Sequence, residues 1–290
     1  MVGALKKSVP SSFPHYRAVE SHLSSLPSFK PGSVEIVGSE GSLVAVVSVS
    51  GEENRDQIRN AAANAVRALR SKGASGKVIL ESFGNDEEAV LEGALLGAWT
   101  WSLKTRGDEQ ETQKKTLVPE LASGKRFAAT EIGVAAELEA RVMSSLPANM
   151  LTPSMFCQRI ESEAQNISGV DVRVFEEDEI QRMGMQGLIV VGKGSQEKIK
   201  LLQLVYRGRS GGDDSIDVAL VGKGVTFDSG GVSIKPSANM ADMKADMMGG
   251  ACVAQALLAL ARQKAETNVV AIVPLVENMC SGNATRPGDV

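Results

Sequence analysis

Residues 216–247 read IDVALVGKGVTFDSGGVSIKPSANMADMKADM, and this stretch carries the densest signals for fold and function. The apolar run 216–221 predicts a buried strand, and the glycine-rich residues after it predict a loop at the carboxyl end of that strand. Ligands of open α/β sheets bind at such carboxyl ends. Glycines leave the backbone open to close approach by a ligand, so we expect a site in this loop.

Four charged residues of this stretch are candidate site residues: Lys223, Asp228, Lys235 and Asp246. Carboxylates gathered by glycine loops without histidine favour hard divalent cations, or zinc in an oxygen-rich site. A lysine can ligate a metal only as the neutral amine, whereas a charged lysine could face negative charge that develops on a substrate oxygen. Spacing alone does not decide between a metal or phosphate site and the ordinary roles of strand-end, turn and helix-start residues.

Histidine and cysteine usage excludes several kinds of site. The chain has two histidines, His15 and His22, and none after them, so the second half cannot form a Ser-His-Asp triad, a Cys-His dyad or an HExxH zinc site. The cysteines are odd in number and lack CxxC spacing: Cys157, Cys252 and Cys280. This argues against a disulfide framework or a thiolate zinc site and indicates a reducing compartment.

Composition places the chain among ordinary globular proteins. It has 290 residues, of which 43% are hydrophobic and 23% charged, with a formal net charge of −4. These values exclude disordered, collagen-like and coiled-coil chains, and the length favours about two domains. The acidic balance, without a basic stripe, argues against nucleic acid as the main partner. No apolar run reaches the roughly 18 residues that a membrane helix needs.

The first half alternates strands with helices. Strands are predicted over 43–49 and 77–81, and helices over 52–72 and 86–104. This alternation predicts a mostly parallel sheet covered on both faces. Residues 1–30 lack the apolar core of a secretory signal, and we expect them to be a poorly packed start, with an organellar transit peptide left open.

The second half is predicted to hold more strands than the first. A helix over 131–145 precedes it, and Thr152-Pro153 is typical of an N-cap and first helical position, which predicts a helix to about residue 166. A further apolar helix is predicted over 247–264. The predicted strands cover residues 170–175, 187–192, 200–206, 216–222 and 268–275.

The glycine-rich stretch resembles the signature of the leucine aminopeptidase family of di-metal cytosol aminopeptidases. The matching string is GKGVTFDSGGVSIKPSANM followed by KADM. Further similar segments are LPANMLTP (146–153), MGMQGL (183–188), VGKGS (191–195) and ENMCSGNATRPGD (277–289). The likeness covers residues 140–290 closely and 40–140 more loosely.

The resemblance implies a function and a role for each candidate residue. The family releases N-terminal, leucine-like residues from peptides, using water activated by two divalent metal ions; zinc or manganese is favoured here over magnesium or cobalt. By this likeness Lys223 and Asp246 are metal ligands and Asp228 bridges both ions. Lys235 would face the substrate carbonyl, and Met243 would line the pocket for the first side chain.

The resemblance also implies an architecture and a setting. The expected fold is α/β: an N-terminal macro-domain-like domain over 1–125, a connecting helix over 126–148, and the first part of a catalytic domain over 149–290, with a mixed sheet and flanking helices. The expected assembly is a homo-hexamer in the full-length form, in the cytoplasm, with peptides as substrates and no membrane or nucleic-acid partner.

One departure from the family pattern concerns the end of the chain. The family completes its site with an Asn-Thr-Asp-Ala-Glu-Gly-Arg motif shortly after an Arg-Pro-Gly-Asp turn, and this chain stops at Val290, directly after that turn. We therefore expect the chain alone to be inactive. One alternative is a non-catalytic truncated homologue that acts in binding or assembly. Another is a macro-like domain that binds a nucleotide or nucleic acid beside a vestigial catalytic half.

Overall fold

The computed structural model describes residues 2–5, 11–26, 28, 30, 32–48, 54–81, 86–103, 116–211 and 214–289. The chain divides into two compact units, Met1–Val134 and Ala135–Val290. Each unit contains a five-stranded sheet with helices packed on it.

The first unit is built on a mostly parallel sheet. Its elements are β1 (Val2–Leu5), α1 (Tyr16–Ser25), β2 (Val34–Ser39), β3 (Ser42–Ser48), α2 (Arg55–Ser71), β4 (Gly76–Glu81), α3 (Glu87–Ala98) and β5 (Leu117–Leu121). The strand order is β2-β3-β1-β4-β5, in which only the β2–β3 pair is antiparallel. The sequence predicted this mostly parallel sheet.

Alternating side chains of β3 show that both faces of this sheet are covered. Val44 and Val46 lie in one apolar cluster with Val19 of α1. Ala45 and Val47 lie in another cluster, with residues of α2 and α3. This agrees with the two-sided cover that was predicted, because successive strand residues point to opposite faces.

The start of the chain differs from its prediction. Residues 1–30 were expected to pack poorly, yet β1 is the central strand of the sheet and α1 contributes the fully buried Val19. The prediction failed because β1 has four residues and α1 begins without a side-chain cap, so neither gives a strong local signal.

The second unit has a mixed sheet. Its elements, after α4 (Ala128–Ser145), are α5 (Pro153–Ala164), β6 (Val170–Phe175), α6 (Glu177–Arg182), α7 (Gln186–Gly192), β7 (Lys200–Arg207), β8 (Val218–Val221), β9 (Gly224–Asp228), α8 (Met248–Arg262) and β10 (Asn268–Asn278). Short 3-10 helices cover Ala148–Met150 and Met240–Ala245. The strand order is β6-β7-β10-β8, and β9 also pairs with β10.

Helices cover both faces of this sheet. Helices α5 and α8 form the larger core with β7 and β10, where Phe156, Leu204, Leu257 and Val273 are buried. Helices α6 and α7 cover a smaller cluster around Ile180, on the other face. As predicted, the Thr152 hydroxyl accepts the Met155 amide at 3.4 Å and so caps α5.

The strand predicted over 187–192 is wrong, because these residues form helix α7. A short apolar run cannot by itself distinguish a buried strand from a helix with one buried face. Leu188 and Ile189 pack against the cluster around Ile180, whereas Val190 and Val191 are exposed. Only one face of the run is therefore buried.

Two further observations concern the whole described chain. Among its helices, none combines the length and the apolar character needed to cross a bilayer. The three cysteines are unpaired; Cys157 is buried in the larger core, and burial raises the pKa of its thiol to about 12.

Candidate metal centre

Strands β8 and β9 lie one after the other along β10. Strand β8 pairs in parallel with residues 269–272 and β9 with residues 275–278, and the Gly222 amide between them donates to the carbonyl of Ile272 at 3.0 Å. The loop predicted to start at Gly222 is therefore wrong: the strand pauses at Gly222 and Lys223 and then continues to Asp228. The apolar Val225 and Phe227, which alternate with the polar Thr226 and Asp228, are the sequence pattern that indicated this second strand.

Glycines allow the start of α8 to pack against this pause in the strand. The Gly250 amide donates to the carbonyl of Lys223 at 2.7 Å. A Cβ atom on Gly222 would collide with the carbonyl of Gly249, and one on Gly250 would lie 2.5 Å from Cγ1 of Val273. The absence of side chains here lets helix and strand approach each other closely.

This close packing brings Lys223 to Asp246. Asp246 follows the 3-10 helix Met240–Ala245 and precedes α8. Its Oδ2 atom lies 2.7 Å from Nζ of Lys223. The same oxygen is buried without a partner in hydrogen-bond geometry among the described residues, so the two groups have the distance of an ion pair but not a hydrogen bond's alignment. A buried carboxylate oxygen in that state favours a cation.

The second pair joins Lys235 to Asp228, at the end of β9. The Lys235 ammonium donates to Oδ2 of Asp228 and lies 3.3 Å from the sulfur of Met243. Oδ1 of Asp228 accepts from the Gly230 amide at 2.9 Å and from Nδ2 of Asn278 at 2.8 Å. Burial alone would raise the pKa of Asp228, but the hydrogen bonds from Lys235, Gly230 and Asn278 outweigh it and lower that pKa to about 2.

A tight turn places Lys235 over Asp228. Gly230 and Gly231 have φ angles of +88° and +69°, which side-chain-bearing residues rarely adopt. The Lys235 amide then donates to the carbonyl of Ser229 at 2.9 Å. The chain folds back after β9, so Lys235, which follows the turn, reaches the carboxylate of Asp228, which precedes it.

Four of the five predicted site residues thus form two lysine–carboxylate pairs, and the fifth, Met243, lies in the 3-10 helix between them in the sequence. In the described part of the chain, no three His, Cys, Asp or Glu side chains are grouped closely enough to hold a metal ion. Any metal in this region would therefore need donors of another kind, and the nitrogen of Lys223 is the adjacent one. Nζ of Lys223 and Oδ2 of Asp246, which lie 2.7 Å apart, are a donor pair that fits a divalent cation once the amine is neutral.

Sequence reasoning did not identify Asn278 as a site residue. It lies 50 positions after Asp228, on a different strand, and reaches the carboxylate only through the pairing of β9 with β10. The ENM string at 277–279 marked the segment as similar to the aminopeptidases, but it indicated no role for the asparagine.

Residues 139–290 match the model of the cytosol aminopeptidase family, catalytic domain. This match covers more than half of the chain. The chain belongs to the cytosol aminopeptidase family. The predicted resemblance is thereby confirmed, and an aminopeptidase-type α/β fold with a mixed sheet and flanking helices is the fold found here.

Curated members of the aminopeptidase family align with both units. The cytosol aminopeptidase of Dictyostelium discoideum is 40% identical over 272 residues, which cover 87% of this chain and 51% of that protein. The probable cytosol aminopeptidase of Geobacter sp. (strain M21) is 38% identical over 247 residues, covering 81% of this chain and 50% of the relative. The chain spans about half the length of these curated relatives.

Solved structures of aminopeptidases and a related enzyme superpose on the whole chain. The bottromycin maturation enzyme BotP in complex with Mn has a TM-score of 0.78 and 33% identity, covering 100% of this chain and 62% of its own. The leucyl aminopeptidase from Trypanosoma cruzi has a TM-score of 0.79 at 22% identity, covering 99% of this chain and 60% of its own, which establishes likeness of fold.

Proposed function

We propose that this chain provides metal-holding and charge-stabilising residues of a metal-dependent aminopeptidase, which releases N-terminal, leucine-like residues from peptides. The observation that carries the proposal is the pair of lysine–carboxylate contacts, Lys223 with Asp246 and Lys235 with Asp228, assembled by one glycine-rich segment. Membership of the cytosol aminopeptidase family supports peptides as the substrate class.

Lys223, Asp228 and Asp246 would hold two divalent ions, with Asp228 between them. Asp228 suits this role because its carboxyl group stays ionised far below neutral pH. Lys223 can ligate only after its Nζ atom has released a proton, because an ammonium has no lone pair. The manganese complex of the similar BotP enzyme supports manganese, and zinc is the other candidate. Bound ions would supply Lewis-acid activation of water and of the peptide carbonyl.

Lys235 and Met243 would act on the substrate. A charged Lys235 would stabilise negative charge that develops on the carbonyl oxygen. The sulfur of Met243 lies 3.3 Å from Nζ of Lys235, so an apolar side chain lies directly beside the lysine's positive charge. Met243 would thus line the pocket that receives the substrate's first side chain, for which a flexible thioether is well suited.

The setting proposed for the whole protein follows its relatives. Their names as cytosol aminopeptidases support a cytoplasmic location, and we propose a homo-hexamer without a membrane or nucleic-acid partner. The two compact units support a two-part organisation. We propose a macro-like domain over 1–125, a connecting helix over 126–148 and a catalytic domain over 149–290.

The two lysines provide the test, which is made in the full-length protein, because their roles predict opposite failures. Lys223→Ala should weaken Mn²⁺ binding, so that added metal recovers part of the hydrolysis of leucine amide. Lys235→Ala should leave metal affinity nearly unchanged and lower kcat by roughly a hundredfold or more. Calorimetric titration with Mn²⁺ and Zn²⁺, beside steady-state kinetics, measures both effects.

Asp171→Asn is the matched control, because Asp171 is an exposed carboxylate at the start of β6 that pairs with Arg207. It should change neither metal affinity nor kcat. Loss of metal binding in Lys235→Ala but not in Lys223→Ala would show that the assigned roles are wrong. Equal metal binding by the wild type, Asp228→Asn and Asp246→Asn would contradict the metal site itself.

A further inference from the structure

A bulge in β9 sets which residue of β10 faces Asp228. Val225 pairs with Val276, but Phe227 pairs with Glu277, so Thr226 is an extra residue between the two pairs. Its buried hydroxyl donates to the carbonyl of Val276 at 3.3 Å. Such bulges commonly re-aim a side chain next to a functional site.

The shifted register places Asp228 opposite Asn278. Without the extra residue, the pairing that starts at Gly224 and Leu275 would have put Asp228 opposite Met279. Paired residues of parallel strands present their side chains on the same face of the sheet. The amide of Asn278 therefore meets the carboxylate of Asp228, and a thioether, which cannot donate a hydrogen bond, does not.

Asn278 is fixed at both its side chain and its backbone. Its Nδ2 donates to Oδ1 of Asp228 at 2.8 Å, and its carbonyl accepts from the Ser229 amide at 3.0 Å and the Ser229 hydroxyl at 2.8 Å. The orientation of the amide follows from its chemistry, because an ionised carboxylate can only accept. A Cβ atom on Gly231 would lie 2.9 Å from Oδ1 of Asn278, so the glycine makes room for the amide.

These contacts divide the two oxygens of Asp228 between different partners. Oδ1 accepts from Asn278 and from the Gly230 amide, which occupies its two lone pairs. Oδ2 faces the ammonium of Lys235. Because the neutral donors Asn278 and Gly230 both bind Oδ1, Oδ2 is the oxygen that remains available to a positive charge.

We propose that Asn278 is a positioning residue of the site: it holds Oδ1 of Asp228 and so presents Oδ2 to bound cations. This inference rests on the proposed function, since it assigns an orienting partner to a metal-holding carboxylate. Hydrogen-bonding partners of ligating groups typically contribute tenfold to a hundredfold in metal affinity.

The first test is Mn²⁺ titration of the folded chain. Asn278→Leu keeps a similar side-chain volume and removes the donor, so affinity should fall at least tenfold. Glu277→Gln is the matched control: it is the neighbouring β10 residue, and its side chain accepts from the Ser195 hydroxyl instead of contacting Asp228. It should keep affinity within about twofold. Affinity within twofold of wild type in Asn278→Leu would overturn the inference.

The second test needs no metal and separates this inference from the proposed function. In the metal-free wild type, the side-chain amide NMR signal of Asn278 should be shifted by its carboxylate partner, and Asp228→Asn should move it. An unmoved signal overturns the positioning role. If Asp228→Asn also leaves Mn²⁺ affinity unchanged, the proposed metal site is what fails, and the amide signal alone decides whether Asn278 orients Asp228.

Discussion

The two units use glycine for the same physical purpose but with different results. In the first unit, Gly93 and Gly97 of α3 lie against the backbone of α2: a Cβ on Gly93 would collide with the carbonyl of Arg59, and one on Gly97 would lie 2.6 Å from that of Ala63. In the second unit, Gly222 and Gly250 allow the same closeness between a strand and a helix start. The first contact joins two helices, whereas the second brings a lysine to a carboxylate.

Charged side chains show a parallel contrast. Arg55 of α2 contacts Asp86, Glu88 and Glu92, and its side chain is 44% exposed. Asp228 contacts three donors as well, but its side chain is only 16% exposed. Solvent screens the first network, and the second is held in a less polar environment. The number of contacts is therefore a poor guide to the energy of a charged group.

The largest expected effect comes from replacing the closely packed glycines of the two units with alanine. Gly93→Ala should lower the free energy of unfolding by about 3 kcal/mol or more, because the new methyl group meets the backbone of α2, which cannot move aside as a side chain can. Gly222→Ala should destabilise the second unit and also weaken Mn²⁺ binding, since it separates Lys223 from Asp246. Denaturant unfolding and metal titration measure the two outcomes.

Gly133→Ala is the matched control for both variants. Gly133 lies inside α4, and a Cβ atom added there would meet no atom within 4 Å beyond its own stretch of helix, so alanine should stabilise the helix by about 0.5–1 kcal/mol. A Gly222→Ala protein that is destabilised but binds Mn²⁺ like the wild type would show that the second unit uses glycine for packing alone.

The next effect tests the charge comparison through pH. The folded-state pKa of Asp228, about 2, lies below its unfolded value near 3.8, so its stabilisation is present above about pH 4 and is lost as pH falls toward 2. Above pH 4, Asp228→Asn should therefore be less stable than the wild type by about 2 kcal/mol, and the difference should shrink to near zero at pH 2. Denaturant unfolding of both proteins between pH 2 and 7 measures it.

The control for this pH dependence is Asp171→Asn, whose exposed carboxylate should give a much smaller difference. A wild-type advantage over Asp228→Asn that stays constant from pH 2 to pH 7 would mean that the ionised carboxylate is not the source of the stabilisation.

Most elements could be predicted wherever the local pattern and the packing agree. The capped start of α5 at Thr152, the long strand β10 and the apolar helix α8 carry strong signals, and each appears close to its predicted position. The prediction for α7 failed because its short apolar run fits either a strand or a helix. Tertiary packing against Ile199 and Val276 favours the helix.

The candidate site residues were named from the sequence, but their pairing was not predicted. Lys223 and Asp246 meet because α8 packs onto the interrupted strand, and Lys235 meets Asp228 because of the turn at Gly230. The first contact depends on tertiary packing and the second on a backbone turn, and the spacing of the residues in the sequence predicts neither. Asn278 was missed because its position opposite Asp228 depends on the bulge at Thr226, a register change without a clear sequence signal.

The smallest expected effect concerns the exposed network of the first unit. Arg55→Ala removes contacts to three carboxylates, yet it should lower the free energy of unfolding by less than about 1 kcal/mol, because solvent screens the pairs and fixing the side chains costs entropy. Arg67→Ala, in the same helix, removes a hydrogen bond to Asn64, the one side-chain contact that Arg67 has among the described residues, and is the control. The small difference between the two variants should disappear in about 1 M salt. A loss in Arg55→Ala as large as that in Asp228→Asn would mean that burial is not what separates the two groups of charges.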